Sequence, residues 1–219
     1  MDFALIETIA LYALPVVLAI TLHEAAHGYI ARMFGDDTAY MLGRVTLNPL
    51  KHIDLVGTII VPLSLLLVSK LAGGGGFLFG WAKPVPVNFG NLRHPKRDML
   101  WVAAAGPGAN LIMALAWAVL FRLSASDGAV PSDGLELMSR AGVLVNVFLM
   151  VLNLFPILPL DGGRIAMSLL PHSLAASYAR LEPYGFMIIV LLLATNVLDR
   201  LMTPIVGVVL ELLQTVVGF

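Results

Sequence analysis

The 219-residue chain is too apolar for an ordinary soluble domain: 59% of its residues are hydrophobic, 12% are charged, and its mean hydropathy is +0.91. A formal net charge of −1 leaves no broad basic surface for nucleic acid, and the absence of cysteine excludes disulfides and thiolate metal sites. Hydrophobic segments long enough to cross a ~30 Å hydrocarbon layer recur along the chain. We therefore expect an all-α polytopic membrane protein that forms one integrated domain over residues 1–219.

The first hydrophobic span runs from about Phe3 to Phe34 and contains a His-Glu-x-x-His motif. Residues four apart share one face of a helix, so His23 and His27 can bind the same ion. Glu24 lies beside them, where it can take a proton from a water bound to that ion. Ionisable groups within a membrane-length segment are costly to bury and are functional by default. The motif therefore predicts a catalytic zinc site inside the bilayer.

The chain after this span is predicted to form a re-entrant element over about residues 55–90. A hydrophobic run of borderline length is followed by four glycines and then by a segment, Phe77 to Asn88, in which Pro84 and Pro86 alternate with valines. Such a segment cannot form a regular helix and favours an extended, edge-strand conformation. In the loop before it, His52 and Asp54 are either a second metal pair or structural groups.

The remaining long hydrophobic segments predict four more spans, at about Met99–Phe121, Leu137–Leu154, Tyr184–Leu198 and Leu201–Val217. The first three spans of the chain would form a catalytic core over about residues 1–165. The last two would be C-terminal spans over about 184–217, with a hinge at Asp199-Arg200. Asn110 and Asn146 fall inside spans, where they either join helices through hydrogen bonds or touch substrate.

A third metal ligand is needed because a catalytic zinc usually has three protein ligands and a water. The candidate is Asp161, in the stretch from Asn153 to Arg164. Pro156 and Pro159 prevent an ordinary helix there, and the two glycines after Asp161 permit a sharp turn. Broken backbone at membrane depth is tolerated where it lines a cavity, which a water-using site requires.

These motifs resemble those of the site-2 protease family, the zinc metalloproteases that cut substrates within the membrane. The resemblance rests on the His-Glu-x-x-His motif, on Asn153 through Gly163, which is similar to that family's Asn-x-x-Pro…Asp-Gly motif, and on the Gly106-Pro107…Asn110 stretch. It is strongest to compact forms that lack an inserted PDZ domain. It implies that the Zn²⁺ ligands are His23, His27 and Asp161. It further implies that Glu24 is the general base and that Asn153 holds the substrate backbone or the oxyanion.

The implied activity is zinc-dependent hydrolysis of peptide bonds in or near transmembrane segments of membrane protein substrates. A zinc transporter is an alternative, but transporters use several weak sites along a path and often have repeated halves. This chain has one set of three ligands and no internal repeat. An inactive membrane scaffold is the other alternative, against which Glu24 argues.

The two ligand-bearing spans must run in the same direction if their C-terminal ends share one metal. One net crossing can then separate them, and the Met99–Phe121 span supplies it, so the re-entrant element must return to the side it entered from. A basic stretch at Arg93, Lys96 and Arg97 marks the cytoplasmic side, and the acidic loop Asp127–Glu136 marks the other. We expect a prokaryotic plasma membrane protein with its N-terminus outside and its active site open to the cytoplasm.

Overall fold

The computed structural model describes residues 3–61, 64, 82–125, 130 and 132–218. These residues contain eight α-helices: α1 Phe3–Met33, α2 Thr38–Met41, α3 Pro95–Ser124, α4 Asp133–Asn153, α5 Asp161–Leu169, α6 His172–Ala179, α7 Glu182–Ala194 and α8 Val197–Val217. Single turns of tighter or wider helix lie at Pro49–Lys51, Leu55–Ile60 and Phe89–Asn91. No β-strand occurs within this described part of the chain. The predicted all-α class is confirmed.

Four helices are long and apolar enough to cross a membrane, namely α3, α4, α8 and the Ala10–Met33 part of α1. The pair formed by α6 and α7 has the length and composition of a fifth span but is bent by 64° at its break. The chain is thus an integral, polytopic membrane protein, as its composition predicted.

Helix α3 lies at the centre of the bundle and packs against α1, α4, α5 and α8. Its contact with α4 is close because Gly142 of α4 faces the Trp117 indole, where an added Cβ would lie 2.3 Å from the ring. In a membrane the surrounding lipid is as apolar as the helices, so helix association depends on close van der Waals packing over small residues. Val143 and Val147 complete this buried contact.

The predicted re-entrant element is described only at its ends, since residues 62–63 and 65–81 lie outside the described part of the chain. Its C-terminal end, residues 82–88, is here called the strap. The strap forms neither a helix nor a strand. Pro84 and Pro86 fix their own φ angles and push the residue before each of them toward an extended conformation.

One predicted boundary is wrong. The hinge expected at Asp199-Arg200 lies a few residues earlier, where Asn196 adopts a left-handed conformation with φ of 56°. Asparagine tolerates that conformation better than most residues, whereas an acidic residue in a helix's first turn is stabilised by the helix dipole. Asp199 and Arg200 therefore lie at the start of α8, which begins at Val197, and they do not interrupt a helix.

Candidate active site

The structure brings the three predicted ligands together at the centre of the bundle. His23 and His27 lie one turn apart on α1, and both are buried. The loop after α4 delivers Asp161 as the first residue of α5. His23 Nε2 lies 3.1 Å from Asp161 Oδ2 and His27 Nε2 lies 3.4 Å from Asp161 Oδ1, while the two Nε2 atoms are 3.1 Å apart. This is the only group of three or more candidate ligands in the described residues.

The partners of each imidazole fix which ring nitrogen carries the hydrogen. His27 Nδ1 lies 2.7 Å from the Val102 carbonyl oxygen, which can only accept. His23 Nδ1 lies 2.6 Å from Asn110 Oδ1, also an acceptor because the amide nitrogen of Asn110 donates elsewhere. Both Nδ1 atoms are therefore donors, and both Nε2 atoms present lone pairs. In neutral imidazoles these two lone pairs and the Asp161 carboxylate face one another, an arrangement that a bound cation would stabilise.

Space for that cation comes from Gly106 of α3. A Cβ at this position would lie 2.5 Å from His27 Nε2 and 2.6 Å from His23 Nε2, so any other residue would fill the point where the three ligands meet. Asp161 Oδ2 is buried there without a hydrogen-bond partner among the described residues. Nitrogen and oxygen donors in this number suit Zn²⁺, with a position left for water. The residues present fit the ion.

The glycines after Asp161 are required by the path of the loop at residues 154–160. A Cβ at Gly162 would lie 2.2 Å from the Leu154 carbonyl oxygen, and one at Gly163 would lie 2.5 Å from the Leu158 nitrogen. From the other side, Gly185 of α7 lets that helix reach the Leu158 carbonyl. The loop is therefore held tightly between α5 and α7, which sets the direction of the Asp161 side chain.

Glu24 is half-buried next to the ligands, and its Oε2 accepts a hydrogen bond of 2.7 Å from the backbone N–H of Val85 in the strap. Asn153 is the last residue of α4 and donates its side-chain amide to the Leu149 carbonyl at 3.0 Å. Among the hydrogen bonds of the described residues, none joins Asn153 to the three ligands. Its expected role toward substrate remains a prediction.

Asn110 and Asn146 join helices, which was one of the two interpretations of the sequence. Asn110 donates to Asn146 Oδ1 at 3.0 Å, and Asn146 donates to the Gly142 carbonyl at 2.8 Å. Both side chains are fully buried. Because the chain of bonds ends on His23, these residues also orient the imidazole of a predicted ligand, a role that the sequence does not indicate. The only signal for it was a polar side chain inside a span.

His52 and Asp54 have structural partners. His52 is buried and donates from Nε2 to the Thr46 carbonyl at 2.9 Å, and Asp54 accepts from the Gly57 N–H at 2.7 Å. The first bond closes a loop, and the second caps the short helix that follows. These contacts favour the structural interpretation of both residues over a second metal pair.

A buried His, His and Asp set with an adjacent glutamate, inside a bundle of membrane-length helices, is the donor set expected of a zinc metalloprotease embedded in a membrane. Comparison with known proteins gives the same class. The family model described as Peptidase family M50 matches residues 122–195. "Putative zinc metalloprotease YwhC" of Bacillus subtilis is 37% identical over 195 residues, which are 87% of this chain and 83% of that protein.

"Putative zinc metalloprotease Rip2" of Mycolicibacterium smegmatis is 30% identical over 186 residues, 84% of this chain and 66% of that protein. No solved structure matches the chain significantly. The chain belongs to peptidase family M50. It is a zinc metalloendopeptidase of the site-2 protease type, and Zn²⁺ is its cofactor.

Proposed function

We propose that this protein is an intramembrane endopeptidase, which hydrolyses peptide bonds in or near the transmembrane segments of membrane protein substrates. His23, His27 and Asp161 hold the zinc ion in this proposal. The observation that carries it is the convergence of their ligand atoms, all within 4.8 Å of one another, among helices of membrane-spanning length. The whole chain acts as one domain, with the catalytic core at about residues 1–165.

The chemistry follows from the residues around the ion. Zn²⁺, when bound, supplies a water of lowered pKa and a Lewis acid for the scissile carbonyl. Glu24 accepts the proton of the attacking water and later passes it to the leaving amine. Asn153, at the end of α4, holds the substrate backbone or the oxyanion. The Asn110 side chain and the Val102 carbonyl keep the two imidazoles in place before substrate arrives.

A helical substrate hides its amide bonds, so it has to be unwound locally before it can be cut. We propose that the segment Phe77–Asn88 offers it an edge for β-augmentation. The described part of that segment, the strap, supports this role by lying against Glu24. If variants of Pro84 and Pro86 cleaved at the native rate, this step would have to be abandoned.

The site is proposed to open toward the cytoplasm, with the N-terminus outside the plasma membrane. The backbone N–H of Arg93 donates to the Phe34 carbonyl at 3.0 Å, so the basic stretch at the start of α3 lies at the same end as the C-terminus of α1. Lys and Arg are enriched in cytoplasmic loops. Labelling of single cysteines placed before α1 and after Met33 by a membrane-impermeant reagent tests this orientation, because only the first should react in intact cells.

The function is tested by the Glu24→Gln variant in comparative proteomics of membrane fragments. We expect native membranes to contain cleavage products that membranes carrying the variant lack, while the purified variant retains zinc. If the variant transports zinc as the native protein does and no product differs, the chain is a transporter. If the native protein produces no cleavage products and transports no zinc, the scaffold alternative holds.

A further inference from the structure

We infer that the backbone N–H of Val85 positions the Glu24 carboxylate for proton transfer, which makes Val85 a positioning residue supplied by the strap. The inference rests on the proposed role of Glu24 as general base. It assigns a catalytic contribution to a main-chain group 61 residues away from Glu24 in the sequence.

The contact itself is short and charge-assisted. The Val85 nitrogen lies 2.7 Å from Glu24 Oε2, and hydrogen bonds to an ionised acceptor are roughly twice as strong as neutral ones. A glutamate side chain that is only half-buried has several accessible rotamers. A bond from a fixed backbone group selects one of them and leaves Oε1 available to receive a proton.

The strap is fixed on both sides of Val85. Before it, the N–H of Lys83 donates to the His52 carbonyl at 2.9 Å, and the Arg44 guanidinium donates to the Lys83 carbonyl at 2.8 Å. After it, the N–H of Asn88 donates to Asp36 at 2.6 Å. The prolines on either side of Val85 restrict the backbone between these anchors. The direction of the Val85 N–H is therefore set before substrate binds.

The catalytic helix is shaped to receive the strap at this point. Gly28 lies one turn after Glu24 on the same face of α1. A Cβ at Gly28 would lie 2.8 Å from Val45 Cγ2 and 3.2 Å from Val85 Cγ1, so a larger residue would clash with Val45 and crowd the Val85 side chain of the strap. The Val85 side chain is buried in this contact. Two contacts one turn apart, one polar and one apolar, thus fix the register of the strap against α1.

The Val85→Pro variant removes the N–H and keeps an apolar side chain in a segment that already alternates with proline. Val85→Ala is its matched partner, because it keeps the N–H and removes the side chain. With fluorescein-labelled β-casein as an unfolded substrate, we expect Val85→Pro to lower kcat about tenfold, with KM changed less than twofold and the zinc content unchanged. Val85→Ala should lower kcat much less. Equal kcat for the two variants, or a change confined to KM, would overturn the inference.

Hydrogen exchange tests the contact without any substrate. A peptide covering residues 82–88 reports only the amides of Val85, Val87 and Asn88, since Pro84 and Pro86 have none and the first two residues of a peptide lose their label. We expect the Val85 amide to be protected in the native protein and to exchange at least tenfold faster in Glu24→Ala. An unchanged rate would refute the contact even if Val85→Pro failed to fold. Absence of cleavage by the native protein would refute the proposed function, and cleavage by Glu24→Gln would refute the role of Glu24 as general base. Loss of cleavage in Glu24→Gln with equal kcat in the two Val85 variants would refute only this inference.

Discussion

The Ala10–Met33 part of α1 and the last helix, α8, are both apolar and long enough to span a membrane, yet they are held in place differently. From Ala10 onward the buried apolar side chains of α1 are Pro15, Ala19, Ala25 and Ala31, none larger than proline, and its buried histidines have hydrogen-bond partners on α3. The buried residues of α8 are large and few, namely Leu198, Met202 and Leu213. Small residues allow backbones to approach closely and fix polar groups to within fractions of an ångström. A few large residues are enough to pack α8 against the bundle, because this helix carries no predicted site residue that must be held precisely.

The largest effect is expected where an added methyl group would enter the metal site. Gly106→Ala puts a Cβ within 2.6 Å of both imidazole Nε2 atoms, although alanine is the better helix former. We expect loss of bound zinc and at least a hundredfold loss of cleavage in a protein that still folds. Gly108→Ala, two residues along α3 with no atom within 4 Å of the added carbon, is the matched control. Full zinc occupancy in Gly106→Ala, measured by elemental analysis, would contradict this picture of the site.

The description of α8 is tested by a pair of neighbouring leucines. Leu213 is 4% exposed, whereas Leu212 is 60% exposed on the outer surface of the bundle. Truncating a buried leucine to alanine costs about 2–5 kcal/mol, because transfer energy is lost and a cavity remains. We expect Leu213→Ala to lower the free energy of unfolding by that amount and Leu212→Ala to lower it by less than about 0.5 kcal/mol. Reversible unfolding in mixed micelles measures both, and equal losses would show that α8 is docked differently.

Asn110 provides a graded test of the region around the ligands. Asn110→Ala removes the acceptor for the His23 Nδ1–H and should weaken zinc binding about tenfold to a hundredfold, the usual effect of losing such a partner. Asn146→Ala, one bond further from the ligand, should weaken it less. Competition with a chromophoric chelator gives both affinities. If the order were reversed, the hydrogen-bond chain would not act through His23.

The smallest expected effect belongs to Asp36, beyond the end of α1. Burial alone would raise the pKa of Asp36, but hydrogen bonds from the Thr38 hydroxyl, the backbone N–H groups of Asn88 and Thr38 and the Asn91 amide outweigh it and lower that pKa. A carboxyl with a lowered folded-state pKa adds stability above its unfolded pKa of about 3.9, and this stability is lost as the pH falls through the folded value. We expect Asp36→Asn to cost about 1.5 kcal/mol at pH 7.

The same pH dependence supplies the check on Asp36. The difference in unfolding free energy between the native protein and Asp36→Asn should shrink as the pH is lowered below about 4. Chemical denaturation at a series of pH values measures it. A difference that stays constant with pH would mean that the charge of Asp36 does not contribute.

The features that could be predicted from the sequence are those that depend on a local pattern of residues. Helical spacing put His23 and His27 on one face, the prolines and glycines around Asp161 indicated a broken backbone there, and hydrophobic length gave the spans. The ligand roles themselves stay predictions, although the structure brings the three side chains together. By contrast, the bond between Val85 and Glu24 comes from a main-chain N–H, which every residue except proline carries. No sequence pattern shows which backbone N–H will donate a hydrogen bond to Glu24.

Other details depended on partners distant in the chain. Asn110 could not be assigned to His23 without knowing how α1 and α3 pack, and Gly106 could not be identified as the space for an ion. The misplaced hinge has a different cause, because Asp199-Arg200 interrupts two apolar segments and a polar interruption predicts a break between helices. An acidic residue also favours the first turn of a helix, and Asp199 accordingly lies in the first turn of α8.

The central claim is that His23, His27 and Asp161 hold one zinc ion per chain, and X-ray absorption at the zinc edge tests it most directly. We predict one zinc per chain with two imidazole nitrogens at about 2.0–2.1 Å and oxygen ligands at about 2.0–2.2 Å. One nitrogen should disappear in His27→Ala and one oxygen in Asp161→Ala, with reduced occupancy in both. Native spectra and full occupancy in both variants would contradict the account.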